Sequence, residues 1–275
     1  MDIVKYHRKI QDIAIKDAYK STCQLLKFEN GNPKSYASGV FIRIDNSHFM
    51  FTASHVIDDE EKKIYIGEKN TFKQIGGEWI QNSLPIGRKR EDDRIDVAIL
   101  KLDDASIEFI KSKHEFLTTN DIQINHRLIE APLYTAIGFP CSQNKFNKYK
   151  NELKRMPFIL ITEPALDEAF NQLNCDPTIN IIVNYNKDKI FNHKTGKKLN
   201  GPTSYGISGA GLWYLPCQSV NSGEKISNYL VGILHTWPKQ NRKYWVATQI
   251  DVFTEIIRIK YELEIEMSKQ ITVEM

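Results

Sequence analysis

Apolar residues along this chain gather in short blocks separated by polar stretches rich in glycine, asparagine and lysine. Two such blocks, Gly39-Val40-Phe41-Ile42-Arg43-Ile44 and His48-Phe49-Met50-Phe51-Thr52, are joined by Asp45-Asn46-Ser47, which predicts a β-hairpin. Upstream, Cys23–Phe28 reads as a strand and Glu29-Asn30-Gly31-Asn32-Pro33 as turn chemistry. Lys63–Ile66, Val97–Leu102, Leu133–Gly138, Phe158–Thr162, Ile179–Tyr185, Gly211–Leu215, Tyr229–Leu234 and Tyr244–Thr248 continue the strand pattern. Many short strands punctuated by turns predict closed or sandwiched antiparallel sheet. Helical spacing occurs near the two ends. Ile3, Val4, Ile10, Ile13, Ala14, Ile15 and Ala18 form an imperfect stripe, and Val252–Lys260 carries apolar residues on one helical face. The tail after Tyr261 fits a continued helix or a strand. Cys141–Arg155 and Asn186–Asn200 look like insertions, and no repeat at a solenoid period is evident.

Composition narrows the class. A chain of 275 residues with 41% hydrophobic and 26% charged positions reads as globular, and all-β folds occupy this length as one unit. The formal net charge of +3 gives no case from bulk charge for a nucleic-acid or membrane surface. Met1–Lys9 lacks the apolar core of a secretory signal, and no stretch approaches the roughly 18 uninterrupted apolar residues of a membrane span. The expectation is therefore a cytoplasmic protein with no membrane partner. Cys23, Cys141, Cys175 and Cys217 are scattered without a C-x-x-C pair, so they read as reduced, mostly buried thiols rather than zinc ligands or a disulfide framework.

Candidate chemistry lies in three segments. Nucleophilic hydrolysis by serine needs an exposed hydroxyl on a tight turn, an imidazole to take its proton and a carboxylate to fix the imidazole. It also needs backbone N–H groups facing the developing oxyanion. Ser208 sits within Gly206-Ile207-Ser208-Gly209-Ala210-Gly211, where flanking glycines permit unusual backbone angles and close substrate approach. The N–H groups of Gly206 and Ser208 are the candidate oxyanion hole. An ordinary glycine-rich turn carries the same G-x-S-G signature, so this motif alone is weak. His55 follows an apolar strand in Thr52-Ala53-Ser54-His55-Val56, among small residues that leave its ring room. Asp96 opens the apolar strand Asp96-Val97-Ala98-Ile99-Leu100, where a carboxylate is costly to bury unless paired. Asp92, Asp93, Asp103 and Asp104 stand beside polar residues and read as solvated surface.

Together these three motifs, in the order His, Asp, Ser, resemble the chymotrypsin/trypsin-like serine peptidase superfamily. α/β-Hydrolases and subtilisins use other orders, and the same argument sets aside an esterase or lipase. Gly39-Val40-Phe41, Leu133–Pro140 and Leu230-Val231-Gly232-Ile233 fit the resemblance, which spans about Ser21 to Lys260. It implies an all-β fold of two antiparallel six-stranded β-barrels with N-terminal and C-terminal helices. The implied division is an N-terminal helix over 1–20, a first barrel over 21–125 with His55 and Asp96, a second over 126–262 with Ser208, and a tail over 263–275. The implied activity is a serine endopeptidase acting on protein or peptide substrates, with no metal and no cofactor.

Departures from the pattern carry information. Secreted members bracket the histidine loop with cysteines, and none occurs near His55. Zymogen-type members carry an aspartate before the serine to pair with a newly cut N-terminus, and here that residue is Ile207. The chain is more similar to bacterial and viral intracellular members, among them trypsin-like domains of bacterial stress and anti-phage defence. The missing signal and Ile207 motivate a regulatory protein partner. The alternative reading is a latent or inactive peptide-binding module on the same fold. Thr203, His235, Thr236 and Trp237 are the candidate substrate pocket, with packing beneath the site the simpler role for His235. Pro202, Thr203, Ser204 and Tyr205 offer no acid for a basic substrate side chain. The basic stretches 145–155 and 187–198 lack an aromatic stacking platform and read as solvated loops, so a nucleic-acid partner is not expected.

Overall fold

The computed structural model describes residues 12, 18–58, 62–68, 70–126, 133–191, 198–215, 228–236 and 242–274. Of the expected N-terminal helix, Asp12 and the short helix α1 (Ala18–Ser21) are described, and the rest lies outside the described residues.

Strands β1 (Thr22–Glu29), β2 (Asn32–Ile44), β3 (Ser47–Ala53), β4 (Ile64–Glu68), β5 (Thr71–Ile75), β6 (Gly77–Gln81) and β7 (Val97–Leu102) build the first sheet. Their spatial order is β5-β4-β1-β2-β3-β7-β6, with antiparallel pairing throughout. The expected hairpin joins β2 to β3. Ile44 pairs with Ser47 across a two-residue turn in which Asp45 takes a φ of 53°, a conformation aspartate tolerates better than most residues.

The second sheet contains β8 (Leu133–Gly138), β11 (Phe158–Thr162), β12 (Asn180–Asn184), β15 (Gly211–Leu215), β16 (Tyr229–Thr236) and β17 (Tyr244–Gln249), in the order β11-β8-β15-β16-β17-β12. Two short ribbons decorate it, β9 (Phe146–Asn147) with β10 (Glu152–Leu153) and β13 (Ile190–Phe191) with β14 (Lys198–Leu199). Both sheets curl into half-barrels, so the fold is mostly β as expected, with seven strands in the first sheet rather than six.

The continuous apolar runs exist because both faces of the central strands are buried. Along β3 and β7, Phe49, Phe51, Val97 and Ile99 point into a layer between the sheets, whereas Met50, Ala98 and Leu100 point into the first half-barrel. Trp213, Leu230 and Ile233 enter the same layer from the second sheet. The helix α3 (Ile250–Tyr261) closes this layer with Ile250, Phe253, Ile256 and Ile257 on one face, and Phe253 stacks on Phe51 at 5.0 Å between ring centroids. Past Glu262, in the left-handed conformation that ends the helix, the chain has no regular element up to 274. It is fastened by Ser268, whose N–H donates to Glu255 Oε1 at 2.7 Å and whose hydroxyl donates to Asp251 Oδ1 at 2.9 Å.

Several elements depart from the sequence expectation. Strands β5 and β6 are half-buried or exposed at every residue but Ile75 and lack the long apolar blocks that marked the others. The helix α2 (Asp104–Lys111) begins where Asp103 and Asp104 read as plain surface. The Asp103 side chain caps it by accepting the Ser106 N–H at 2.7 Å. Asp93 also corrects that reading. It is 8% exposed and accepts from Asn82 at 2.9 Å, Arg90 at 2.7 Å and the Ile95 N–H at 2.9 Å. Cys23 is buried, and Cys141 and Cys175 are half-buried free thiols, while Cys217 lies outside the described residues.

Candidate active site

Strand pairing brings His55 and Asp96 together. Ala53, the last residue of β3, pairs with Val97, the first of β7, so the chain leaving one strand meets the chain entering the other. The Ser54 N–H donates to the Asp96 carbonyl at 3.0 Å, and residues 54–57 then turn through one 3-10 turn that presents the His55 ring. Asp96 is 2% exposed, with a φ of 45°. Its side chain lies beneath His55. The loop that carries it is braced from both sides. Asn82 Oδ1 accepts the Val97 N–H at 2.9 Å, Asn180 donates to the Arg94 carbonyl at 2.6 Å, and the Thr248 hydroxyl donates to the Ile95 carbonyl.

Ser208 arrives from the second sheet, on the turn that precedes β15. His55 Nε2 lies 2.8 Å from Ser208 Oγ, and His55 Nδ1 lies 2.7 Å from Asp96 Oδ2. The three side chains singled out in the sequence thus form one hydrogen-bonded relay across the junction of the two sheets. The His55 pKa lies above its ordinary value. Burial opposes the imidazolium, but the hydrogen bond and charge of Asp96 outweigh it.

The turn around Ser208 is held at every peptide unit. The Tyr205 carbonyl accepts the Cys141 N–H at 2.7 Å, and the Ile207 carbonyl accepts the Ala210 N–H at 2.8 Å. A trans peptide points its N–H opposite to its carbonyl, so these bonds turn the Gly206 and Ser208 amides toward the cavity that both residues line. Among the described residues neither amide donates a hydrogen bond. Glycine is required at two points of this turn. Gly206 has a φ of 93°, and Gly209 has a φ of 82° with an ideal Cβ position 1.9 Å from the Ser38 carbonyl oxygen. The side chain of Ile207, between them, is 4% exposed and packs in the core of the second sheet.

A cavity of about 370 Å³ opens beside Ser208, with Tyr36, Ser204, Tyr205, Leu234, Arg242 and Trp245 in its walls. Trp245 Nε1 donates to Ser204 Oγ at 2.8 Å, and Tyr185 stacks on the indole at 4.0 Å, which makes this wall rigid. Of the residues expected to form a pocket, Thr203 does not line this cavity, because the chain turns Ser204 and Tyr205 to it instead. His235 borders its inner end, but the side chain is only 1% exposed and packs behind the relay, with Nδ1 3.7 Å from Asp96 Oδ2. Burial pushes the His235 pKa down to about 4, so the ring is neutral near pH 7. The side chain of Thr236 and the whole of Trp237 lie outside the described residues.

Sequence reasoning passed over Ser38, Tyr36, Arg242 and Trp245. Ser38 carried no local signal, because its strand also holds Asn32, Lys34, Ser35 and Arg43 among its apolar residues. In the basic stretch 145–155, Lys145, Lys148, Lys150 and Lys154 are exposed, whereas the Arg155 guanidinium packs over Tyr19 at 5.3 Å and Phe139 at 5.5 Å. Residues 192–197 of the other basic stretch lie outside the described residues. Among the described residues no helix is long and apolar enough to cross a membrane.

No protein-family model matches the chain, and no curated protein matches its sequence. Among solved structures, one described as GrC superposes with a TM-score of 0.54 at 14% identity, covering 88% of this chain and 94% of that one. Human heparin binding protein superposes with a TM-score of 0.50 at 14% identity, covering 87% and 90%. Likeness at such identity is likeness of fold. The chain therefore has the chymotrypsin-like fold of two half-barrels.

Proposed function

We propose that the chain is a serine endopeptidase in which Ser208, His55 and Asp96 form the catalytic triad. The observation that carries this reading is the relay itself, with contacts of 2.7 and 2.8 Å that cross from one sheet to the other beside two undonated amides. A binding module has no need of all these groups in reacting geometry.

In this mechanism Ser208 Oγ attacks the scissile carbonyl carbon while its proton passes to His55 Nε2. The carbonyl oxygen, now negative, accepts hydrogen bonds from the Gly206 and Ser208 amides. Asp96 holds the imidazolium through Nδ1. Collapse of the tetrahedral species breaks the C–N bond, and the proton on Nε2 goes to the departing amine. Water then repeats the sequence on the acyl-enzyme, giving up its proton to His55 and regenerating Ser208.

The cavity beside Ser208 is the site for the substrate side chain in this reading. Its described walls contain no carboxylate and do contain Arg242, which supports uncharged or acidic side chains over basic ones. A regulatory protein partner remains part of the proposal, since Ile207 offers no ion pair for control by N-terminal cleavage. Ser208→Ala is expected to abolish cleavage of a casein-type substrate while the far-ultraviolet circular dichroism stays native. Cleavage by this variant at the wild-type rate refutes the assignment.

A further inference from the structure

Four hydrogen bonds converge on one residue of the first sheet. Ser38, in β2, is 0% exposed. Its hydroxyl donates to the Gly206 carbonyl at 2.7 Å and accepts the Phe139 N–H at 2.9 Å. The direction is forced, because an amide nitrogen can only donate and a carbonyl oxygen can only accept. The Ser38 N–H donates to the Ser208 carbonyl at 2.8 Å, and the Ser38 carbonyl accepts the Thr52 hydroxyl at 2.9 Å. Small neighbours make this convergence possible. An ideal Cβ on Gly138 would stand 3.1 Å from Ser38 Oγ, and one on Gly209 would stand 1.9 Å from the Ser38 carbonyl oxygen.

We infer that Ser38 is a positioning residue for the oxyanion-binding amides, setting the nucleophile turn of the second sheet against a strand of the first. Its consequence for turnover rests on the peptidase reading above. The bonds fall on two peptide units of the turn. One, between Gly206 and Ile207, has its carbonyl on Ser38 Oγ and its N–H on the Ser204 carbonyl at 3.0 Å. The other, between Ser208 and Gly209, has its carbonyl on the Ser38 N–H and its N–H on the Leu234 carbonyl at 2.7 Å. The two oxyanion amides belong to the peptide units just before each of these. Fixing the Gly206 carbonyl fixes the rotation about Gly206, a glycine at positive φ that has no side chain to restrain it. Strand β2 is itself clamped on both sides, with Gln24 opposite Ser38 in β1. The hydroxyl therefore carries a rigid reference from one sheet to the reacting amides of the other.

Ser38→Ala leaves the Gly206 carbonyl and the Phe139 N–H buried without this partner, while the Ser38 backbone bond to Ser208 survives. The substrate cavity has no contact with Ser38, so ground-state binding is not affected. Turnover is expected to fall roughly tenfold to a hundredfold at unchanged KM, less than for outright removal of an oxyanion donor. A peptide aldehyde, whose hemiacetal oxygen occupies the oxyanion position, is expected to lose affinity by the same factor. The matching peptide amide is expected to lose none.

The test is the full chain and its Ser38→Ala variant, compared by the nuclear magnetic resonance signals of the Gly206 and Ser208 amides and by kinetics per folded molecule. The expected result is shifted or exchange-broadened Gly206 and Ser208 signals in an otherwise native spectrum, with the loss confined to kcat and aldehyde binding. Unchanged Gly206 and Ser208 signals overturn the positioning role, as does an unchanged kcat in an active enzyme. A wild-type chain with no turnover, both alone and with cell lysate added as a source of the regulatory partner, refutes the peptidase reading instead, and the amide signals then still decide the role of Ser38.

Discussion

Both the backbone and the ring of His55 bind one carboxylate. The His55 N–H donates to Asp96 Oδ1 at 2.9 Å, and His55 Nδ1 meets Asp96 Oδ2 at 2.7 Å. The two contacts fix which oxygen faces the ring. They also fix the tautomer, because an ionised carboxylate only accepts, so Nδ1 carries the proton and Nε2 is left to accept from Ser208.

Asp96→Asn tests this relationship. The His55 N–H needs an acceptor, so the Asn oxygen stays on that side and the NH₂ group turns to Nδ1. Nδ1 then has to accept, the ring proton moves to Nε2, and His55 can no longer take the Ser208 proton. The expected fall in kcat is about 10⁴-fold, with the thermal transition kept. Steady-state kinetics beside a melting curve check both parts. A kcat near that of the wild type means that Asp96 does not set the tautomer.

The pH–rate profile follows from the raised His55 pKa. Only the neutral ring can act as base, so kcat/KM is expected to rise with pH through an inflection above the ordinary histidine value of 6.5. Stability runs the other way. Because the folded pKa exceeds the unfolded one, the Asp96–imidazolium interaction contributes fully below the unfolded pKa and is lost as pH rises through the folded value. A proton titration of the His55 ring is expected to match the kinetic inflection, and an inflection below 6.5 contradicts the assignment of His55 as base.

Ile207 gives a prediction about stability rather than rate. Its side chain packs in the second-sheet core among Ala210, Leu212 and Leu234. Ile207→Asp puts an acid there without a partner, at a cost of about 2–5 kcal/mol from lost apolar burial and desolvation of the carboxyl. Urea unfolding is expected to show a lower midpoint. A variant as stable as the wild type would mean that this turn is not anchored by apolar packing.

Much of the fold was legible because burial of both strand faces writes itself as uninterrupted apolar blocks, as in Phe49–Phe51 and Val97–Leu100. Strands β5 and β6 were not, since their residues are mostly half-buried or exposed and leave no such block. His55 and Ser208 were visible through local motifs, and Asp96 through the anomaly of an acid opening an apolar strand. Ser38 was hidden because its partner Gly206 is 168 positions away, and nothing local marks a contact set by the docking of two sheets. Asp93 was misread for a similar reason. Its polar neighbours in sequence suggest solvent, but Arg90 and Asn82 fold over it.

Reaction of the native chain with a fluorophosphonate probe, followed by mass mapping of the modified residue, tests the central proposal most directly. The reagent needs a serine activated by a neighbouring base and an oxyanion site, so it reads the relay and the amides together. The account predicts stoichiometric labelling at Ser208, lost in His55→Ala and in protein unfolded before exposure. Native chain that stays unlabelled, or that reacts at another serine, contradicts it.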